Sequence, residues 1–339
     1  MTDTSKELAE LADSVFGDAD TTATGFDAAL WESLEQTGLA RLTLPADAGG
    51  SEATLADAAV VLTAAGRNAA RAPLVETDLQ AGWLLHTAGI PLPDGPLTLA
   101  TGDLDITRTV TRAAGTLRRV PWARAAAGIV MLAGDQVLLF DPAGLTITDG
   151  TNIAEEPRDT VAVDGPVRSA GVEEHVGAQL RLRGALGRAL LLAGAAEGAL
   201  AASVRYAGER VQFGRPIGRF QAVQQQLALA AAEVAAASAA TSAAARAADT
   251  DGFDAASTRF AVAVAKTRAG EAAGVVARIA HQVHGAIGFT REHDLRLLTT
   301  RLWAWRDEDG SEAEWSELIG TEVLDGGPDA LWPLITGTP

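Results

Sequence analysis

Three short segments of this 339-residue chain carry residue types from which a ligand-binding or reactive site can be built. The first is Glu209-Arg210-Val211-Gln212-Phe213-Gly214-Arg215-Pro216-Ile217, two arginines and a glutamine at a helix interrupted by proline. Guanidinium groups there can present planar, bidentate donors to a phosphate or a nucleotide edge. The same residues also fit a solvated corner between helices. The second is His281-Gln282-Val283-His284-Gly285-Ala286-Ile287-Gly288-Phe289. Its small residues at 285, 286 and 288 admit a ligand or another backbone at close range, and Gln282 brings an amide able to bond a phosphate or an adenine edge. His281 and His284 are three apart, but no carboxylate at helical spacing completes a metal site, so a structural histidine pair is expected and no metal. The third is Asp307-Glu308-Asp309-Gly310, just past Trp303 and Trp305. A carboxylate desolvated beside indole rings becomes a usable base near neutrality, while a solvated helix end before a glycine fits the same letters.

Other chemistries are excluded by composition. With no cysteine, the chain holds no disulfide, thiolate nucleophile, iron–sulfur cluster or cysteine zinc site. Its formal charge of −17 opposes a nucleic-acid partner. Gly184-Ala185-Leu186-Gly187 and the Gly194 to Gly198 stretch lie inside helical pattern with no preceding strand, so neither is a dinucleotide fingerprint or a P-loop. Met1 to Gly17 is polar and acidic rather than a basic start followed by an apolar core, so a cytoplasmic location is expected. Arg188, Glu197, Glu233 and Arg246 interrupt the alanine-rich runs, so no membrane insertion is expected.

The elements that must hold these segments read as mainly α. Leu30, Leu34 and Leu39 mark a first helix, and Leu55, Ala58, Val61 and Leu62 a second, capped by Thr54 and closed by Gly66. A third is expected over Val75 to Ala88 before Pro91, Pro93 and Pro96. From 96 to 170 the period turns strand-like: Gly128 to Leu132 and Gln136 to Phe140 predict a hairpin, with further strands at Leu145 to Thr148 and Thr160 to Val163. Long helices then follow from Val176 to Glu209, Gly218 to Ala248 and Phe253 to Val283, with a turn at Asp249 to Gly252 and a shorter segment from Glu292 to Trp305. Together they predict a four-helix bundle. The domain order is therefore an N-terminal helical domain (1–95), a reduced middle β-domain (96–170) and a C-terminal four-helix bundle (171–339).

At these residues the sequence resembles the acyl-CoA dehydrogenase superfamily. Arg210 to Ile217 followed by Phe220-Gln221-Ala222-Val223-Gln224 is similar to the family's Arg-x-x-Phe-Gly-x-Pro-Ile…Phe-Gln-x-x-Gln, and Gln282 to Phe289 is similar to its Gln-x-x-Gly-Gly-x-Gly-Phe. Gly38-Leu39…Leu44-Pro45…Gly49-Gly50 and Ala65-Gly66-Arg67…Pro73-Leu74 also resemble that family. The resemblance implies an oligomer binding FAD at a subunit interface. Arg210, Gln212 and Phe213 of one protomer would contact the neighbour's cofactor, and Gln282, Gly285 and Ala286 would line the path of the pyrophosphate and adenosine. It further implies that a carboxylate just before a glycine removes the α-proton of an acyl-CoA while a hydride leaves Cβ for the flavin, giving a trans-2-enoyl-CoA. An electron-accepting flavoprotein would reoxidise the cofactor. Counting without gaps from Gly288 places Asp309 before Gly310 at that position, with the longer Glu308 one residue earlier.

Departures from the family pattern narrow the expectation. Ala286 replaces the second glycine of the cofactor motif. No Glu-Pro-x-x-Gly-Ser-Asp segment or Trp-Ile-Thr flavin contact is present; the nearest pieces are Thr98 to Asp103 and Val120-Pro121-Trp122-Ala123. Gly187 and Arg188 occupy the stretch where some relatives carry an alternative glutamate. The chain thus resembles the short subunits of heteromeric acyl-CoA dehydrogenases from bacterial catabolism of steroid side chains, in which a larger subunit completes the flavin site. A non-catalytic partner subunit and a flavin-fold protein with non-oxidative acyl-CoA chemistry are the alternatives.

Overall fold

The computed structural model describes residues 3–17, 24–107, 112–329 and 331–336. The chain divides into two compact units, each discontinuous in sequence: Met1–Gly17 with Leu55–Ala70 and Ala185–Pro339, and Asp18–Thr54 with Arg71–Gly184. Helix α1 (Asp3–Gly17) opens the chain, followed by α2 (Ala28–Gln36) and α3 (Leu55–Arg67). The stretch expected as a third ordinary helix is a π-helix over Val75–Gly82 that tightens into α4 (Trp83–Thr87). All eight π-helical residues are buried. Only glycine fits at position 82, because a Cβ there would lie 2.4 Å from the carbonyl oxygen of Thr77.

Among the described residues eight strands follow: β1 (Leu97–Ala100), β2 (Asp105–Thr107), β3 (Arg112–Pro121), β4 (Gly128–Ala133), β5 (Gln136–Phe140), β6 (Thr146–Thr148), β7 (Arg158–Pro166) and β8 (Arg168–Gly171). They form two four-stranded sheets, in the orders β1-β4-β5-β8 and β2-β3-β7-β6. The predicted hairpin is present, one residue longer than read, with Ala133 paired to Gln136 and Gly134 at φ +61° making the two-residue turn. Its apolar runs are continuous because both faces are covered. Ile129, Met131, Leu138 and Phe140 pack with Leu117 and Val161, while Val130, Val137 and Leu139 pack with Leu84, Leu97 and Leu180. The sequence reading did not find β3. It carries arginines at 112, 118 and 119, and a bulge between Leu117 and Val120 breaks its alternation.

The other unit is helical: α5 (Val176–Glu209, whose first turns belong with the sheets), α6 (Gln221–Asp251), α7 (Ala256–His284), α8 (Leu295–Trp305), α9 (Glu312–Gly326) and α10 (Leu331–Thr336). A two-stranded hairpin, β9 (Val211–Gln212) with β10 (Arg215–Pro216), joins α5 to α6. The glycines inside the helical pattern serve backbone approach. A Cβ on Gly66 would meet the Leu191 carbonyl oxygen at 2.2 Å, and one on Gly194 the Thr63 oxygen at 2.0 Å, so α3 and α5 cross in direct contact. The expected turn at Asp249 is instead the end of α6, and it carries a function. The Asp249 carboxylate accepts from the amides of Leu55 (2.6 Å) and Ala56 (2.8 Å), capping α3 from 193 and more residues away. The segment expected from Glu292 becomes helical only at Leu295, and α9, packed along α7, was not read from the sequence. By length and composition alone α5 and α6 could each cross a membrane, which the interrupting charges were expected to exclude; 78% of the apolar window of α5 is buried within the protein.

Candidate functional site

Arg210, Gln212 and Phe213 lie on the β9–β10 hairpin. Phe213 (φ +51°) and Gly214 (φ +77°) are its two turn residues, the positive-φ pair of a type I′ turn. Phenylalanine pays a steric cost there that glycine avoids. The hairpin is nevertheless fixed: Arg210 N–H donates to Tyr206 O and Ile217 N–H to Arg210 O, both at 2.8 Å. The Arg215 guanidinium lies 4.2 Å from the Phe220 ring centre, and Phe213 meets that ring edge-on at 6.0 Å. Phe213 is 92% exposed, and Arg210 and Gln212 are exposed beside it.

Gln282, Gly285 and Ala286 sit at the exposed C-terminal end of α7. Gly285 (φ +63°) ends the helix and starts a 3₁₀ turn over Gly285–Phe289, with no atom within 4 Å of where its side chain would be. The methyl of Ala286 points into equally exposed surroundings. Beneath the turn are two ring stacks. His281 lies between Phe289 (4.0 Å) and Trp303 (5.3 Å), and His284 stacks on Tyr206 (4.5 Å) with His293 edge-on at 4.8 Å. Burial holds both His281 and His284 below the usual imidazole range. Among the described residues no cluster of three metal-ligating side chains occurs. Because Tyr206 of α5 touches His284 of α7, the hairpin and the glycine turn lie at one end of the bundle. The segments 205–219 and 291–296 there hold six arginines against three acids in a chain whose formal charge is −17.

Glu308 and Asp309 are placed otherwise. Arg188 on α5, its side chain 4% exposed, donates from Nε to Asp309 Oδ2 at 3.0 Å and pairs through Nη2 with Glu308 Oε2 at 3.4 Å. The turn that carries them is pinned by three further hydrogen bonds. Lys266 Nζ, in a fully buried residue of α7, donates to the carbonyls of Arg306 (2.8 Å) and Gly310 (2.6 Å), and Trp315 Nε1 donates to Asp309 O at 3.0 Å. Gly310 (φ +96°) is obligatory, since a Cβ there would lie 2.4 Å from Trp315 Nε1. Burial pushes the Lys266 ammonium down to about 8, against the attraction of Asp309. The sequence reading missed Arg188 and Lys266 as site residues. The available signal was a cation within an alanine-rich helical stretch, which is kept buried only where it is paired.

The structure therefore brings together the two cofactor-motif segments and separates them from the carboxylates. Arg188 and Arg210 are 22 residues apart on or just beyond one helix, about 33 Å at 1.5 Å per residue. In the other unit, Thr98 is fully buried with its hydroxyl bonded to Pro121 O, and Trp122 is 3% exposed, so neither is presented to a ligand.

Residues 182–321 match the family model described as "Acyl-CoA dehydrogenase, C-terminal domain". Acyl-CoA dehydrogenase IpdE2 of Mycobacterium tuberculosis is 33% identical over 291 residues, 82% of this chain and 81% of that protein. The ChsE4-ChsE5 complex of Mycobacterium tuberculosis contains a chain of the same fold, with a TM-score of 0.85 at 24% identity over 97% of this chain and 99% of that one. The Tcur3481-Tcur3483 steroid acyl-CoA dehydrogenase matches at a TM-score of 0.79 and 26% identity, covering 95% of this chain and 98% of its own.

Proposed function

The chain belongs to the acyl-CoA dehydrogenase family, and from that premise we propose that it is one subunit of a heteromeric, FAD-dependent acyl-CoA dehydrogenase that desaturates a bulky acyl-CoA, such as a steroid side-chain thioester, to the trans-2-enoyl-CoA. The observation that carries this reading is the hairpin: a strained, tightly hydrogen-bonded turn that aims Arg210, Gln212 and Phe213 away from the body of its own chain. Residues built this way serve a surface that another molecule completes.

The donors at this end suit an FAD molecule in its phosphate and adenosine parts. Arg210, Gln212 and Gln282 would hold it, and the open space at Gly285 admits it. The fit stops at the flavin ring, because Thr98 and Trp122 are buried in this chain. When bound, FAD supplies the hydride acceptor. Ring contacts are then the larger subunit's task.

A narrower reading, that this chain supports the cofactor without providing the base, is favoured by Arg188. Each carboxylate oxygen engaged by a buried guanidinium must give up a charge-assisted hydrogen bond before it takes a proton from carbon.

Two measurements test these readings. Purified alone the protein is expected to be colourless, and co-expressed with a larger homologue it is expected to turn yellow; stoichiometric FAD in the isolated chain would refute the heteromer. The combined Glu308→Gln and Asp309→Asn substitutions strand the buried Arg188 charge and are expected to lower stability. In variant complex that is folded by circular dichroism and yellow, however, acyl-CoA-dependent dye reduction per bound FAD is expected to stay well short of the roughly 10²–10⁴-fold loss that removing a general base brings. A loss beyond about a hundredfold would return the base to this chain.

A further inference from the structure

We propose that His281 and His284 are positioning residues for the cofactor-facing turn, and that they hold it in place only as neutral imidazoles. The FAD arm of this inference rests on the function proposed above; the structural arm does not.

Hydrogen bonding fixes the tautomers. The partner of His284 Nδ1 is the carbonyl oxygen of Ala280 at 2.8 Å, which can only accept, so Nδ1 carries the proton. His281 Nε2 lies 3.0 Å from Thr299 Oγ1, whose single proton goes to Leu295 O at 3.2 Å, so His281 Nε2 donates to the hydroxyl. What remains on each ring is one lone-pair nitrogen, Nδ1 of His281 and Nε2 of His284. Both are buried without a hydrogen-bond partner, in residues only 7% and 4% exposed. His281 Nδ1 lies beneath the turn itself, where a Cβ on Gly288 would come within 3.4 Å of it and within 3.0 Å of His284 Cβ.

A proton added at either nitrogen creates a buried N–H with no acceptor. The charged or titratable groups facing the pair are Arg205 and Tyr206 from α5 and His293 from the turn before α8, while α8 presents Thr299 and Trp303. The ring faces of Phe289, Trp303 and Tyr206 attract a cation but supply no acceptor. Burial opposes the charged form at both histidines, in agreement with that geometry. The remaining way to satisfy the new donor is to admit water to the ring edge, which disturbs the packing beneath the turn, where the outermost ring of the His281 stack is Phe289, 69% exposed. Gln282, Gly285 and Ala286 then lose their support.

The stack contains its own reporter, since Trp303 lies 5.3 Å from His281 with the rings 11° from parallel. The fluorescence of the full-length chain minus that of its Trp303→Phe variant, followed as the pH falls, is expected to show one reversible transition below the ordinary imidazole value of 6.5. FAD retained by the co-expressed complex is expected to fall about tenfold over the same interval. In the combined His281→Phe and His284→Phe variant the rings still stack but cannot take a proton. Its transition should move down by at least about one pH unit or vanish, with neutral-pH FAD affinity weakened about threefold by the lost hydrogen bonds. An acid transition unchanged in that variant overturns the inference. Should the double variant fail to fold by circular dichroism, His281→Gln and His284→Gln singly decide, each expected to shift the midpoint and an unmoved midpoint in both refuting it. A complex that binds no FAD at any pH refutes the function proposed above while the Trp303 signal still decides the turn.

Discussion

The two ends of α5 use charge in opposite ways. At the C-terminal end the hairpin leaves Arg210, Gln212 and a left-handed Phe213 facing outward, and Arg205, Arg215, Arg219 and Arg291 are exposed around them. Twenty-two residues earlier, Arg188 is buried and spent on Glu308 and Asp309. An exposed ion pair contributes little and is easily exchanged for a ligand, whereas a buried one is costly to break and brings nothing new to a binding partner. The difference separates an exposed set of cations and amides from a brace that joins α5 to the turn before α9. It also sets a buried guanidinium against both carboxylates that match the family's base position by counting.

The sharpest way to break this comparison is to remove the two arginines in turn. Arg188→Ala removes the guanidinium shared by two largely buried carboxylates and is expected to lower the unfolding free energy in urea by about 3–5 kcal/mol. Arg210→Ala, at an exposed position, is expected to change it by less than about 0.5 kcal/mol while weakening FAD retention in the complex. Equal destabilisation by both would erase the distinction between brace and surface.

Lys266 sharpens the same contrast through pH. Its folded-state value of about 8 lies below the ordinary 10.5, so between those limits the unfolded chain binds a proton that the folded one does not, and stability rises with pH. The unfolding free energy is therefore expected to be on the order of 1–2 kcal/mol higher at pH 9.5 than at pH 7.5. Lys266→Met should remove that slope. A slope retained in the variant would show that the ammonium is not the group whose burial strains the acidic turn.

Much of the frame behind this contrast is legible in the amino-acid order because it rests on local pattern. Ile129 to Leu132 and Val137 to Phe140 announce a strand pair covered on both faces, and the alanine runs of α5, α6 and α7 announce long helices. Arg210, Gln212, Phe213 and Gly285 stand out in the sequence as parts of contiguous motifs, and the structure places all four at exposed positions. What was not legible depends on partners remote in sequence. Arg188 meets Asp309 121 residues away, Lys266 meets Gly310 44 residues away, and Asp249 caps a helix 194 residues before it. The π-helix is a case of a different kind. Its residues have ordinary helical spacing, and nothing in that spacing marks the wider turn, whose eight residues are all buried. The strand β3 escaped because arginines at 118 and 119 occupy its bulge.

The smallest expected effect is also the one that most directly separates stability from purpose. Phe213 holds a conformation that costs an L-residue on the order of 1 kcal/mol, and with 92% of its surface exposed it recovers little of that by burial in its own chain. Phe213→Gly relieves the strain but adds freedom to the unfolded chain, two terms of similar size. The fold is therefore expected to lie between unchanged and about 1 kcal/mol more stable in urea. If the aromatic ring is there for a neighbouring molecule, the same substitution should lower FAD retention of the co-expressed complex by about tenfold, the scale of one lost aromatic contact. A variant that is both less stable alone and fully competent in the complex would show that Phe213 serves the hairpin through its edge contact with Phe220, and the exposed end of α5 would lose its clearest mark of an unfilled surface.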